Sequence, residues 1–247
     1  MKDFLTGVNG AAEAIRNGRG VLHVSRINGR VATLIQIAGE HGVAVRRVNE
    51  NDLYRMVRGA DHRGFALEVD SAPAPMAIQS LEDLASSAGE NSLVVVLDGI
   101  TDPGNLGAVL RSADQFAVDA VLLPKRRSVQ KDANSMSRAS AGAVEWVPLL
   151  EVVNLSRTLK TLKDMGYWIW GADILGTEAP EVNLKGRTAL VMGREGKGLH
   201  RLIKENCDGL ISIPTRGRLD SLNVAVATGI LLFESRRQQN FFSNAPK

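Results

Sequence analysis

Aromatic residues make up only 4% of this 247-residue chain, cysteine occurs once and histidine four times. Each scarcity removes a class of chemistry. With so few rings, a stacking platform for single-stranded bases is a poor fit. Cys207 alone cannot form an internal disulfide, and without a Cys-x-x-Cys pair or clustered histidines no metal site is expected. Cys207 itself reads as a small buried hydrophobe, because nothing beside it in sequence marks an activated thiolate. No apolar run of signal-peptide length opens the chain, and none of about 18 residues occurs anywhere, so the expectation is a soluble, cytoplasmic protein without a membrane span. An excess of one charge is missing too. Thirty basic residues against 27 acidic ones give a net charge of +3, an ordinary surface with a mild tilt toward an anionic partner.

What is present is enough apolar residue, 44%, to bury a core in one large domain or two modest ones. Arginine is unevenly spread. Residues 1–70 hold nine arginines and one lysine, and "PKRRSVQKDANSMSR" sets five basic residues against one acid. Arginine's fork of donors matches phosphate oxygens, although a solvated face reads the same way. The Pro-, Ala- and Ser-rich stretch "SAPAPMAIQSLEDLASSAGENS" reads as a linker. This divides the chain into a small α/β domain over 1–72, a linker over 73–91 and a larger domain over 92–247. In the larger domain, apolar runs such as "SLVVVLDGI", "DAVLLP", "VEWVPL", "YWIWGAD", "TALVMG" and "LISIP" alternate with helical stretches. That is the pattern of a mostly parallel sheet with helices on both faces.

Three stretches carry chemistry. In "LDGITDPGNLGAVLRSAD" a buried strand runs into a Pro-Gly turn, Asn105 is placed to cap the next helix, and Leu106, Val109, Leu110, Ala113 and Phe116 recur at helical spacing. Arg111 falls outside that stripe, close behind a strand's carboxyl end, where ligands bind in open α/β sheets; a plain surface arginine is the alternative. In "ALVMGREGKGLHRL" the glycines suit close approach of backbone N–H groups to a ligand. The spacing fits neither G-x-x-x-x-G-K-[ST] nor G-x-G-x-x-G, and Glu195 would repel phosphate, which discounts nucleotide triphosphate and nicotinamide chemistry. In "LISIPTRGRLDSLNVAVATGILLFESRR" a strand ends at Ile213-Pro214, and Asp220 or Ser221 is placed to cap a helix apolar on nearly all sides. Such a helix points to a subunit interface as much as to a core, and Ser221 and Asn223 read equally well as cap residues or as site residues.

Taken together, N-L-G-x-x-x-R at 105–111, M-G-x-E-G-x-G-L at 192–199 and I-P near 213 followed by S-L-N at 221–223 resemble the three motifs of the SpoU, or TrmH-type, RNA ribose 2′-O-methyltransferases of the SPOUT superfamily. The first domain, through "GVNGAAEAI" and "DHRGFALEV", is similar to the ribosomal-protein-like RNA-binding domain of the RlmB branch, which modifies 23S ribosomal RNA. The resemblance implies an α/β trefoil-knot domain that binds S-adenosylmethionine, homodimerises and acts on RNA, most closely a guanosine of 23S rRNA. It implies that Asn105, Arg111, Glu195, Ser221 and Asn223 line the reacting centre, and that Met192, Gly193, Gly196, Ile213 and Leu222 hold the cofactor. Arginine keeps its proton in proteins, so Arg111 suits a clamp on phosphate and forming alkoxide better than a base. The segment "TRGRLDSLN" departs from the family pattern, with Arg216, Arg218 and Asp220 where related enzymes have small or neutral residues. A tRNA ribose methyltransferase and a non-catalytic RNA-binding protein of the same fold are the competing readings.

Overall fold

The computed structural model describes residues 2–59, 61–70, 78–125, 140, 142–194, 196, 198–219 and 221–244. The chain divides into two compact units, Met1–Met76 with Lys131–Trp146, and Ala77–Gln130 with Val147–Lys247.

The first unit runs β1 (Lys2–Leu5), α1 (Val8–Arg16), β2 (Val21–Val24), α2 (Gly29–Glu40), β3 (Ala44–Arg47), α3 (Glu50–Met56) and β4 (Phe65–Asp70). Its sheet has the order β1-β4-β2-β3, with only β2 and β3 parallel. Asparagines start two of the helices: Asn28 accepts from Val31 N–H and Asn49 from Asp52 N–H. Leu22, Val24, Phe65 and Leu67 of the strands pack with Ala11, Ile15, Leu34 and Ala38 of the helices. The edge strand β3 is exposed at every position and carries Arg46 and Arg47. This unit also holds a 3-10 turn, Ala143–Glu145, preceded by Gly142 at φ 100. A Cβ on Gly142 would stand 3.0 Å from Gly10 Cα, so two glycines let this turn reach α1. The apolar "VEWVPL" is therefore not one strand: its first residues belong to this turn, and a strand begins only at Leu149.

The second unit contains α4 (Leu81–Ser87), β5 (Leu93–Leu97), α5 (Pro103–Gln115), β6 (Ala120–Pro124), β7 (Leu149–Val152), α6 (Leu155–Asp164), β8 (Trp168–Glu178), β9 (Thr188–Met192), α7 (Arg201–Glu205), β10 (Gly209–Ser212) and α8 (Val224–Gln238). The six strands are all parallel, in the order β10-β8-β9-β5-β6-β7. β5 and β9 are buried at every position, as strands covered on both faces must be. Val94, Val96, Ala189 and Val191 face a core shared with Leu84, Leu155, Leu159 and Leu162. α5 and α8 pack on one another, and α8 packs against β9.

The expected linker includes ordered structure. Ser80 accepts from Asp83 N–H, Asp83 accepts from Gln79 N–H, and the helix so capped buries Leu84 beside Ile78 in the second unit's core. Composition concealed this, because the capping pair and one leucine outweigh the surrounding alanines and serines.

Arg236, in the last turn of α8, is 5% exposed although charged. Its guanidinium donates to the carbonyls of Phe116 and Asn91 at 2.7 and 2.9 Å, to Ala117 O, and to Gln239 Oε1. Arg236→Met should therefore cost about 3 kcal/mol by leaving buried carbonyls without donors. Urea denaturation of the full chain checks this, and a loss under about 1 kcal/mol would show that water reaches those carbonyls instead.

Candidate active site

In the large sheet β6 and β7 extend to one side of β5, while β9, β8 and β10 extend to the other. The direction in which successive strands are added thus switches between β5 and β9, although the two strands run parallel, and the crevice beyond their carboxyl ends is where open α/β sheets bind ligands. Asp98, directly after β5, closes this point. Its N–H donates to Met192 O at 2.8 Å, and its buried carboxylate accepts from His200 twice, from the backbone N–H and from ring Nδ1, both at 2.7 Å. Asp98 thereby ties down the end of β9 through its backbone N–H and the far end of the 193–200 loop through its carboxylate.

Within that loop Arg194 and Gly198 pair backbone to backbone at 3.0 and 2.8 Å. A Cβ on Gly193 would stand 2.5 Å from Leu199 N, so the loop's own backbone fills that direction. Gly196 and Gly198 hold φ of 70 and 62, conformations that favour glycine. These glycines let the loop fold on itself, a reason for them that sequence reasoning did not give.

α5 begins one turn earlier than expected. Asp102, not Asn105, is the cap, accepting from Asn105 N–H at 2.7 Å with Pro103 in the first turn. This frees the Asn105 side chain for another contact. The cap of α8 likewise falls on Asn223 and not on Asp220 or Ser221: Asn223 Oδ1 accepts from Ala225 N–H at 2.9 Å and Val226 N–H at 3.4 Å. The other half of that amide, Nδ2, donates to Asn105 Oδ1 at 2.9 Å across 118 residues of sequence.

Leu106, Val109, Leu110 and Ala113 are buried as expected, while Phe116 is only half-buried at the end of α5. Arg111 stands outside this face, exposed and without a partner among the described residues. Gly193 and Ile213 are half-buried just beyond β9 and β10, while Gly196, Ser221 and Leu222 are exposed. Met192, the last residue of β9, is buried at 1% exposure. Glu195, Lys197 and Asp220 lie outside the described residues, as does most of "PKRRSVQKDANSMSR". Sequence reasoning missed Asp98, His200 and Asp102. A lone carboxylate directly after an all-apolar strand was the signal for the first. Burial pushes the Cys207 thiol up to about 12, which removes it as a nucleophile.

The first unit presents a separate basic surface. Arg26, Arg55 and Arg63 are each paired with an acid, Glu50, Asp52 and Asp61, whereas Arg46 and Arg47 stand on the exposed edge strand. Some of the arginine excess is thus balanced locally.

Comparison with known proteins places the two units. The SpoU rRNA Methylase family matches residues 92–233, and a domain described as RNA 2′-O ribose methyltransferase substrate binding matches residues 4–75. The chain is 39% identical over 248 residues, 97% of its own length and 98% of the relative's, to the 23S rRNA (guanosine-2′-O-)-methyltransferase RlmB of Xanthomonas campestris. The AdoMet-bound rRNA methyltransferase of Sinorhizobium meliloti aligns with a TM-score of 0.76 at 25% identity, covering 96% of this chain and 87% of that one. The TrmH/SpoU tRNA modifying enzyme of A. aeolicus, at 29% identity and a TM-score of 0.54, covers 62% of this chain and 80% of that one.

The dual role of Asn223 separates under substitution. Asn223→Asp keeps the capping oxygen and should hold stability within about 0.5 kcal/mol, while Asn223→Ala loses cap and cross-link and should cost about 1–2 kcal/mol. Thermal denaturation of both variants checks this; equal losses would mean the cap contributes nothing.

Proposed function

Because the chain belongs to the SpoU rRNA methylase family, we propose that it methylates one ribose 2′-oxygen of RNA at the expense of S-adenosylmethionine, and that the target is a guanosine of 23S rRNA. The observation that carries this is the Asn105–Asn223 hydrogen bond, which brings the first and third motifs together at the carboxyl edge of the sheet. The near full-length likeness to an RlmB and the shorter match to a tRNA enzyme favour ribosomal over transfer RNA. The presence of Asn105, Arg111 and Asn223 in this arrangement favours catalysis over binding alone.

The residues present fit the cofactor. Ile213 and Leu222 offer apolar surface after β10, and the 193–200 loop offers a polar backbone after β9, a mixture suited to an adenosyl group with its hydroxyls. S-adenosylmethionine, when bound, supplies a methyl group already activated on sulfonium. What remains for the protein is to align the ribose oxygen with it and to ease loss of the hydroxyl proton. Asn105, held by Asn223, is a fixed polar group for that alignment. Arg111, exposed on the solvent side of α5, acts as a fork that grips the adjoining phosphate and stabilises the oxygen as it loses its proton. Glu195, Ser221, Gly193 and Gly196 contribute as the family resemblance implies. The first unit binds RNA, with Arg46 and Arg47 as phosphate contacts. A trefoil passage of the chain, no metal requirement and a cytoplasmic setting complete the proposal.

Full-length protein supplied with methyl-labelled cofactor should label one ribose of 23S rRNA, and a 2′-deoxy target should remain unlabelled. Arg111→Ala should slow the single-turnover step at a cost of about 3 to 4 kcal/mol with cofactor affinity nearly unchanged. A near-normal rate would return Arg111 to ordinary surface structure.

We also infer a homodimer. On α8, Val226, Ile230 and Phe233 are 52%, 40% and 49% exposed on one stripe, with Leu219 and Leu222 exposed just before the helix. Symmetric pairing of that stripe is the simplest way to cover it. Light scattering should give twice the chain mass at micromolar concentration, and Ile230→Asp should give the monomer.

A further inference from the structure

Arg194 occupies the open position of M-G-x-E-G, which the motif leaves unassigned. Its backbone is committed inside its own loop, since its N–H donates to Gly198 O at 3.0 Å and its carbonyl accepts from Gly198 N–H at 2.8 Å. The side chain therefore departs from a fixed point. Its stem lies across Gly99, where an added Cβ would stand 3.0 Å from both Cγ and Cδ of Arg194 and 3.4 Å from His200 Cε1. Gly99, at φ 80, lies two residues beyond β5 and leads toward Asp102 and α5. A glycine there supplies both the left-handed turn and the seat for the arginine.

Against this close seating stands an unmet demand. Arg194 Nε is buried and has no hydrogen-bond partner among the described residues. The carboxylates of the neighbouring turn are engaged elsewhere: both Asp98 oxygens accept from His200, and Asp102 Oδ2 accepts from Asn105 N–H. A buried donor of a charged group left without an acceptor is unfavourable, and such groups persist where something outside the chain supplies the acceptor. A guanidinium selects carboxylate or phosphate, whose paired oxygens match its fork.

We propose that Arg194 is a binding residue of the methyl-transfer crevice and that it holds an anionic oxygen of a bound ligand at the turn after β5. Two ligands of the reaction carry such an oxygen, the cofactor in its amino-acid carboxylate and the RNA in its phosphates. The inference takes these two ligands from the function proposed above, and its geometric basis is independent of that function.

The test uses full-length protein with Arg194→Met, which keeps a stem over Gly99 and removes the charge, and Arg194→Lys, which keeps the charge and removes the fork. Calorimetry with S-adenosylmethionine alone, RNA binding over a range of salt, and ligand-free melting temperature are measured for each. Arg194→Met should melt no lower than the parent, because it deletes an unsatisfied donor. It should lose at least about tenfold in affinity for one ligand. Loss toward the cofactor assigns the carboxylate; loss toward RNA, with the salt slope reduced by about one, assigns a phosphate. Arg194→Lys should recover only a small fraction. Both affinities within about twofold of the parent would overturn the proposal, as would a lowered melting temperature with unchanged affinities, which would place the guanidinium's partner within the chain. A parent protein that binds cofactor but methylates no RNA would refute the proposed function and leave the cofactor arm of this test intact.

Discussion

Two polar contacts hold α5 and α8 side by side, one at each end. At the amino ends Asn223 donates to Asn105; at the carboxyl ends Arg236 donates to the carbonyls of Phe116 and Ala117. The helices therefore run parallel, and between the clamps a Cβ on Gly229 would lie 3.4 Å from Ser112 Oγ, a close helix-to-helix approach. Apolar packing alone would let one helix slide along the other, because dispersion contacts are numerous and individually weak. Hydrogen bonds at both ends remove that freedom. The position of Asn105 over the crevice follows from this register, as does the direction in which Arg111, further along α5, can reach.

A second constraint is close passage of backbone. Gly171 faces Leu199 and Cys207 at 2.7 and 2.9 Å from where its Cβ would be, and Gly176 faces the backbone of Leu210 and Ile211. The pairing of β10 with β8 skips from Gly171 to Thr177 at this point, so five residues of β8 bow out between the two registers. Gly193, just past the neighbouring strand β9, meets the backbone of Gly198 and Leu199 in the same way. Side chains at these positions would separate the segments that form the crevice walls. Asp98 then fixes what the glycines permit, because a buried carboxylate whose oxygens are both engaged has little freedom to choose another partner.

Much of this was legible in the sequence. Apolar runs gave the positions of β5, β6, β8, β9 and β10, since parallel strands buried on both faces read as unbroken hydrophobic stretches. The helical stripe after Pro103 gave the buried face of α5. What escaped was decided by side-chain hydrogen bonds over long separations. Nothing local says that Asn223 will cap its helix with one end of its amide and reach Asn105 with the other, or that Asp98 will choose His200 from a loop 102 residues away. The short helix Leu81–Ser87 escaped for a different reason: its single buried leucine lay in a stretch whose composition speaks for a linker. Motif spacing singled out candidate site residues through resemblance, whereas the hydrogen bonds that join them arise only in the folded chain.

The wiring gives α8 a consequence beyond packing. Its amino end holds Asn105 in place, and its carboxyl end is anchored through Arg236. Its middle carries the exposed stripe of Val226, Ile230 and Phe233, while Phe233 also touches Phe116 and Phe242 edge-on or tilted. A second copy docking on that stripe would bear on a helix that cannot slide, so the force of association would pass to its ends. One of those ends is the Asn105–Asn223 contact. Covering the stripe would then do more than remove apolar surface from water: by restraining α8 it would narrow the range of Asn105 positions, which is the freedom an in-line transfer must suppress. In the proposed dimer, a single rigid element that begins directly after the third motif would thus serve both association and alignment.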